Sequence, residues 1–219
     1  VTWEQYLRDL IVFGANAVEL IPPRSDDDAD SPHFPQPPQK MMVEMSRLLD
    51  KYGMDVWVWY PALEKDYSQP AQITKAVREW TSVLRQLPRL DAILVPGGDP
   101  GHTPPAILMN LLAKESAAIR QIHPKVQFWV SPQGFSTSWL EEFISIVERR
   151  KPVWLNGIVF APQVKIPLAE LRKRVPKQYA IRHYPDITHS RQAQYAVPDW
   201  DVSFALTEAR ECINPRPED

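Results

Sequence analysis

The chain has 219 residues, 44% of them apolar and 24% charged, enough for one large globular domain or two small ones. A net charge of −2 lacks the basic face of a nucleic-acid binder, and no uninterrupted apolar run approaches bilayer-spanning length. Cys212 is the only cysteine, which excludes a disulfide within the chain and a thiolate zinc site.

The chain opens at Val1 straight into a helical pattern, with neither an initiator Met nor a targeting segment, as expected of a fragment of a longer chain. Trp3, Tyr6, Leu7, Leu10 and Ile11 recur at helical spacing. Thr2 and Gln5 have capping-box spacing, and Gly14 supplies the stop. Residues 17–21 are an apolar run ended by Pro22 and Pro23, which reads as a buried strand. The same alternation then repeats. Met41, Met42, Met45, Leu48 and Leu49 stripe a helix that stops near Gly53, and residues 55–60 form a strand. Ile73, Val77, Trp80, Leu84 and Leu87 mark the next helix, before a strand over 92–95. Leu108, Leu111, Leu112, Ile119 and Ile122 mark another, before a strand over 126–130. Ser138 and Glu141 have the spacing of a second capping box, on a helix carrying Leu140, Phe143, Ile144 and Val147. A strand over 157–160 follows. A short helix from Pro167 leads to a strand over 179–183, and a last helix is expected over 201–209.

Helices alternating with short apolar strands imply parallel pairing through right-handed crossovers. An open doubly wound sheet and a closed barrel both fit. No Gly-rich turn follows the first strand, and every strand runs into a polar, proline-containing loop, which favours the barrel. The expected fold class is therefore α/β, a partial (β/α)8 TIM-barrel. It forms a single domain over 1–219, truncated at both ends, with its first and last strands outside the fragment. Those remaining strands and further domains of the parent chain are expected partners.

In such a barrel the site opens at the C-terminal ends of the strands. The residues there are carboxylates, amides, imidazoles and aromatic rings, an inventory suited to a ligand rich in hydroxyls. Asp99 follows a buried strand directly, beside glycines that let backbone approach a ligand; a turn aspartate bonding its own loop is the simpler alternative. His183, Asp186 and His189 form a ladder after the sixth strand. They suit acid–base work or a divalent metal, though a loop does not hold such spacing on one face, and bracing of the loop competes. Trp57 and Trp59 share one strand face, opposite Val56 and Val58; Trp59 and Tyr60 are placed to stack on a sugar, and Trp57 reads as core. Trp129 is ambiguous in the same way. Arg182 is expected to point outward, toward the helices. Glu19, Arg24, Glu64, His102, Gln133, Gln163 and Tyr184 complete the candidate binding set. The acidic run Asp26, Asp27, Asp28 and Asp30 reads as a solvated loop without EF-hand spacing.

The third strand and its loop, Ile93-Leu94-Val95-Pro96-Gly97-Gly98-Asp99, resemble the Gly-Gly-Asp-Glu signature of family 20 β-N-acetylhexosaminidases. More loosely, the chain is similar to family 84 hexosaminidases and to α-glucuronidases. The resemblance implies a TIM-barrel glycoside hydrolase in which Asp99 orients the acetamido group of the substrate. The general-acid glutamate of that signature falls on Pro100, which has no proton to give. Its replacement is sought among Glu64, Asp186 and a residue on the missing last strand.

The leading expectation is a glycoside hydrolase acting on a poly- or oligosaccharide, in polysaccharide degradation and carbohydrate metabolism, with Asp99 and Asp186 as the catalytic pair. One alternative is a non-catalytic carbohydrate-binding barrel, favoured by Pro100. Another is a metal-dependent sugar isomerase or epimerase using Glu19, His183, Asp186 and His189. The glycosidase reading requires no cofactor and no metal, and its partner is a carbohydrate rather than nucleic acid or membrane. The compartment is open, export to the periplasm or the cell exterior included.

Overall fold

The computed structural model describes residues 2–20, 37–64, 66–98, 101–161 and 163–184. Among them, helices and strands alternate: α1 (Trp3–Val12), β1 (Ala17–Leu20), α2 (Pro38–Lys51), β2 (Asp55–Trp59), α3 (Pro70–Leu84), β3 (Ala92–Pro96), α4 (Pro105–Ile119), β4 (Gln127–Ser131), α5 (Thr137–Arg150), β5 (Leu155–Phe160), α6 (Leu168–Arg174) and β6 (Ala180–His183). The strands expected from apolar runs are all present, with ends moved by a residue or two. The expected helix over 201–209 lies outside the described residues.

All five strand pairs are parallel, and the sheet order is β1-β2-β3-β4-β5-β6. A doubly wound sheet reverses its order at a switch point. Here the order never reverses, so successive right-handed crossovers lay every helix on the same face. The buried residues agree. Val56, Val58, Ile93, Val95, Phe128, Val130 and Ile158 pack with the helices into one large core. Ala92, Leu94, Trp129 and Val159 form a second, smaller cluster on the other face, with Trp57 and Trp59 against it.

Among the described residues no helix lies over that second face, which is covered by curling. Arg182 on β6 donates to Glu19 on β1 at 2.7 Å, although these are the two outermost strands of the sheet. In a flat sheet five inter-strand spacings would hold them about 24 Å apart, farther than the two side chains reach. The Arg182 guanidinium also lies 4.4 Å from the centre of the Trp57 ring on β2. Six parallel strands therefore bend toward closure around a common interior, as the barrel expectation requires, with the helices outside.

Local signals explain the element ends. Thr2 Oγ1 accepts from Gln5 N at 3.2 Å and opens α1, as its spacing implies. Gly14 and Gly53 follow α1 and α2 at φ 89° and 71°, left-handed positions where a Cβ is disfavoured. The capping box assigned to Ser138 and Glu141 is corrected: Ser136 is the N-cap of α5, its Oγ accepting from Trp139 N at 3.2 Å. Ser136 precedes the first helical residue, Thr137, and so faces the unpaired amides; Ser138 already lies inside the first turn and hydrogen-bonds the Ser136 hydroxyl at 2.9 Å. Glu141 is drawn away to Arg174 of α6, whose guanidinium holds that carboxyl below its ordinary range.

Candidate functional site on the inner face of the sheet

Alternation along each strand decides which side chains enter the curl. From β1 comes Glu19, from β2 Trp57 and Trp59, from β3 Ala92 and Leu94, from β4 Trp129, from β5 Gly157 and Val159, and from β6 Arg182. Large and small residues alternate around this face. A Cβ on Gly157 would stand 2.1 to 2.7 Å from carbons of the Trp129 ring, so that ring fills the space a side chain would take. Trp57, whose strand partner is Ala92, meets Trp129 with ring centres 5.5 Å apart. Trp129 Nε1 is satisfied by Gln127 Oε1 at 3.0 Å, which fixes the indole in its plane.

Arg182 corrects the outward orientation expected from sequence. Its register partner on β5 is Val159, an inner-face residue, and parallel neighbours in register point the same way. The inward position gives its cation a carboxylate, Glu19, and an aromatic face, Trp57, where the helix side offers an apolar core. Tyr184 lies beyond, 5.8 Å from the guanidinium. The pair is half-buried, with side-chain exposure of 31% for Arg182 and 19% for Glu19.

The rim is shaped by glycines. Gly97 N donates to Ser131 O at 2.8 Å and Gly98 N to Gln133 O at 2.9 Å, which carries the β3–β4 pairing out of the sheet into the loops. A Cβ on Gly97 would lie 2.5 Å from the Phe135 ring, and one on Gly98 would lie 2.7 Å from the Gly134 backbone. The Gly-Gly pair thus locks the loop that carries Asp99 against the loop that carries Gln133.

The candidates named from sequence divide into groups. Glu19, Trp59 and Trp129 face the interior, and Tyr184 stands at its edge beside Arg182. Gln133 is half-buried at the rim, while His102 and Gln163 are exposed. Tyr60 lies on the helix side, 2% exposed and stacked on Trp80 of α3 with ring centres 3.8 Å apart. Glu64 joins it around a cavity of ≈ 10 Å³ against α3 and pairs with Lys75 at 3.4 Å. His183 shares the outward face of β6 with Ile181, its ring 5.6 Å from that of Phe160. Asp99, Asp186, Arg24 and His189 lie outside the described residues, as do Pro100 and the acidic run. Among the described residues no three His, Cys, Asp or Glu side chains cluster as a metal site would need. Sequence reasoning missed Trp57 and Arg182. The signal for both was period-two alternation counted from Ala180 and Asp55, provided the sheet curls.

The opposite, N-terminal ends of the strands carry bracing ion pairs. Arg89 donates to Asp91 at 2.7 Å and also to Asp55, and Asp91 in turn accepts from Val56 N at 2.8 Å. Arg120 joins Asn156 at 3.0 Å to the carbonyl of Trp154 at 2.9 Å. In α/β barrels this end serves stability and the other end chemistry.

Fold and inner face together define a parallel α/β barrel-type protein with an aromatic and ionic interior. No family model matches the chain, and no curated protein matches it. Among solved structures, it is similar to a sugar phosphate isomerase/epimerase from Parabacteroides distasonis (10% identity, 84% of this chain and 81% of that one, TM-score 0.49). It is also similar to the GH53 catalytic domain of Ignisphaera aggregans (15% identity, 73% and 51%, TM-score 0.48) and to the catalytic domain of the major endoglucanase of Xanthomonas campestris pv. campestris (15% identity, 95% and 64%, TM-score 0.43). The chain spans about half the length of the Ignisphaera domain. With TM-scores below 0.5, these likenesses carry no inference about this chain's chemistry, which rests on its own residues.

Proposed function

We propose that the chain acts on carbohydrate and that its inner face holds the sugar. The observation that carries this reading is the convergence of Trp57, Trp129, Arg182 and Glu19 inside the curl. Aromatic faces suit the C–H faces of a pyranose, and a few charged groups among them fix orientation through hydroxyls. The most specific form of the reading is a glycoside hydrolase. Asp99 and Asp186 would be its carboxyl pair, on the loops after β3 and β6, about 5–5.5 Å apart for retention or 6.5–9.5 Å for inversion. The resemblance of Gly97-Gly98-Asp99 to the hexosaminidase signature supports Asp99 at the substrate, in the acetamido-orienting role of that signature's aspartate.

Pro100 favours a second reading, a barrel that binds sugar without turnover. The metal-dependent isomerase reading gains nothing from the described geometry: Glu19 is engaged by Arg182, and His183 faces Phe160 on the other side of β6. A glycoside panel, run with Asp99→Asn and Asp186→Asn beside the wild type, separates these readings. The hydrolase reading expects turnover by the wild type and a loss of about 100-fold or more in each variant. Sugar binding without turnover transfers the case to the binding barrel. The absence of both turnover and sugar binding contradicts the carbohydrate reading altogether.

A further inference from the structure

Arg182 is held more firmly than closing the sheet requires. Trp57 supports the flat face of its guanidinium at 4.4 Å, and Tyr184 flanks it at 5.8 Å. Among the described residues, Nη1 alone is spoken for, donating to Glu19 Oε2 at 2.7 Å. An arginine carries five N–H donors. Among the described residues, Nε and Nη2 donate to none. Those two nitrogens make up the side-on fork of the guanidinium, whose parallel N–H bonds match the paired oxygens of a carboxylate or phosphate. The side chain is 31% exposed, so it is not sealed into the core.

We propose that Arg182 recognises an anionic substituent on the sugar, a carboxylate or a phosphate, so that the ligand of this barrel is an acidic sugar. The inference rests on the carbohydrate reading and specifies its substrate class. Glu19 acts here as a positioning residue. It anchors one end of the guanidinium while Trp57 fixes its plane, so the fork loses little freedom when a ligand arrives. A neutral hydroxyl takes a single bond from such a fork; a planar or tetrahedral oxyanion takes two, each charge-assisted. Trp57 covers one face of the guanidinium, which reduces its hydration on that side and strengthens the contact.

Isothermal titration of the intact protein with glucuronate, galacturonate and glucose 6-phosphate, against glucose and galactose, tests this directly. An acidic sugar is expected to bind about tenfold or more tighter than its neutral counterpart. The preference should shrink as salt is added. Whether the uronates or the phosphate win identifies the anion. Arg182→Lys retains the charge and lacks the fork. It should lose most of the preference, read as the ratio of acidic-sugar to neutral-sugar affinity within the variant. Thermal melts confirm that the variant folds, and the wild-type comparison decides the matter even where it does not. Equal affinity for acidic and neutral sugars, or a full preference retained by Arg182→Lys, overturns the inference and leaves the carbohydrate reading intact. No binding of any of the five overturns both.

Discussion

Trp129 occupies the inner face because residue 157 has no side chain. Gly157→Ala would force a methyl group to within 2.1 Å of the indole, against a ring already held by Gln127 and Trp57. The cost is expected at about 1–3 kcal/mol in denaturant titration, the range of an overpacked core. Sugar affinity should fall with it as the ring shifts, whereas an alanine at Gly14, strained by its left-handed φ of 89° but far from the inner face, would cost stability without changing binding. Glu115 shows the opposite stress. It is wholly buried in α4, and neither carboxyl oxygen has a hydrogen-bond partner among the described residues. Burial, and after it the charge of Glu79, raises its pKa well above the ordinary 4.5, so folding favours the protonated carboxyl. The unfolded chain releases that proton first. Stability is therefore full below about pH 4.5 and declines as pH rises toward the folded value, beyond which the loss is complete. Glu115→Met should flatten that slope and raise stability near pH 7 by about 1–3 kcal/mol, read from urea melts at several pH values.

At the scale of elements, the helix starts separate positional signals from compositional ones. Ser136 and Ser138 are both serines before an apolar stripe, and spacing to Glu141 picks the wrong one. Only the backbone shows which hydroxyl meets the free amide of Trp139. Ser136→Ala should cost about 1 kcal/mol, and Ser138→Ala no more than about 0.5 kcal/mol, by thermal or urea unfolding. The strands were more legible than the caps. Their apolar runs are short and bounded by proline, glycine or polar residues, and the structure moves their ends by no more than a residue or two. Side-chain direction was legible in β2, where Trp57 and Trp59 oppose Val56 and Val58. The same count puts Tyr60 with the valines on the helix side, where it stacks on Trp80 rather than standing beside Trp59 as its sugar-stacking assignment required. In β6 the count alone was insufficient. What turns Arg182 inward is Glu19, 163 residues away in sequence, and no local pattern announces a partner so distant.

For the molecule as a whole, the strand order β1 to β6 without reversal and the helices on one face follow from the sequence pattern together with crossover handedness. The degree of curl does not, because it is set by contacts between strands far apart in the chain. Yet the curl decides everything functional. It brings tryptophans from β2 and β4, an arginine from β6 and a glutamate from β1 to one face. A flat sheet would carry the same residues without bringing them together. The most direct test is a long-range nuclear Overhauser contact in solution between side-chain protons of Arg182 and the indole protons of Trp57. These groups lie 4.4 Å apart across the curl and would be about 19 Å apart across four strand spacings of a flat sheet. The contact is expected in the unliganded wild-type protein. Its absence, in spectra that do show contacts between adjacent strands such as Trp57 to Ala92, would contradict the common interior on which the site depends.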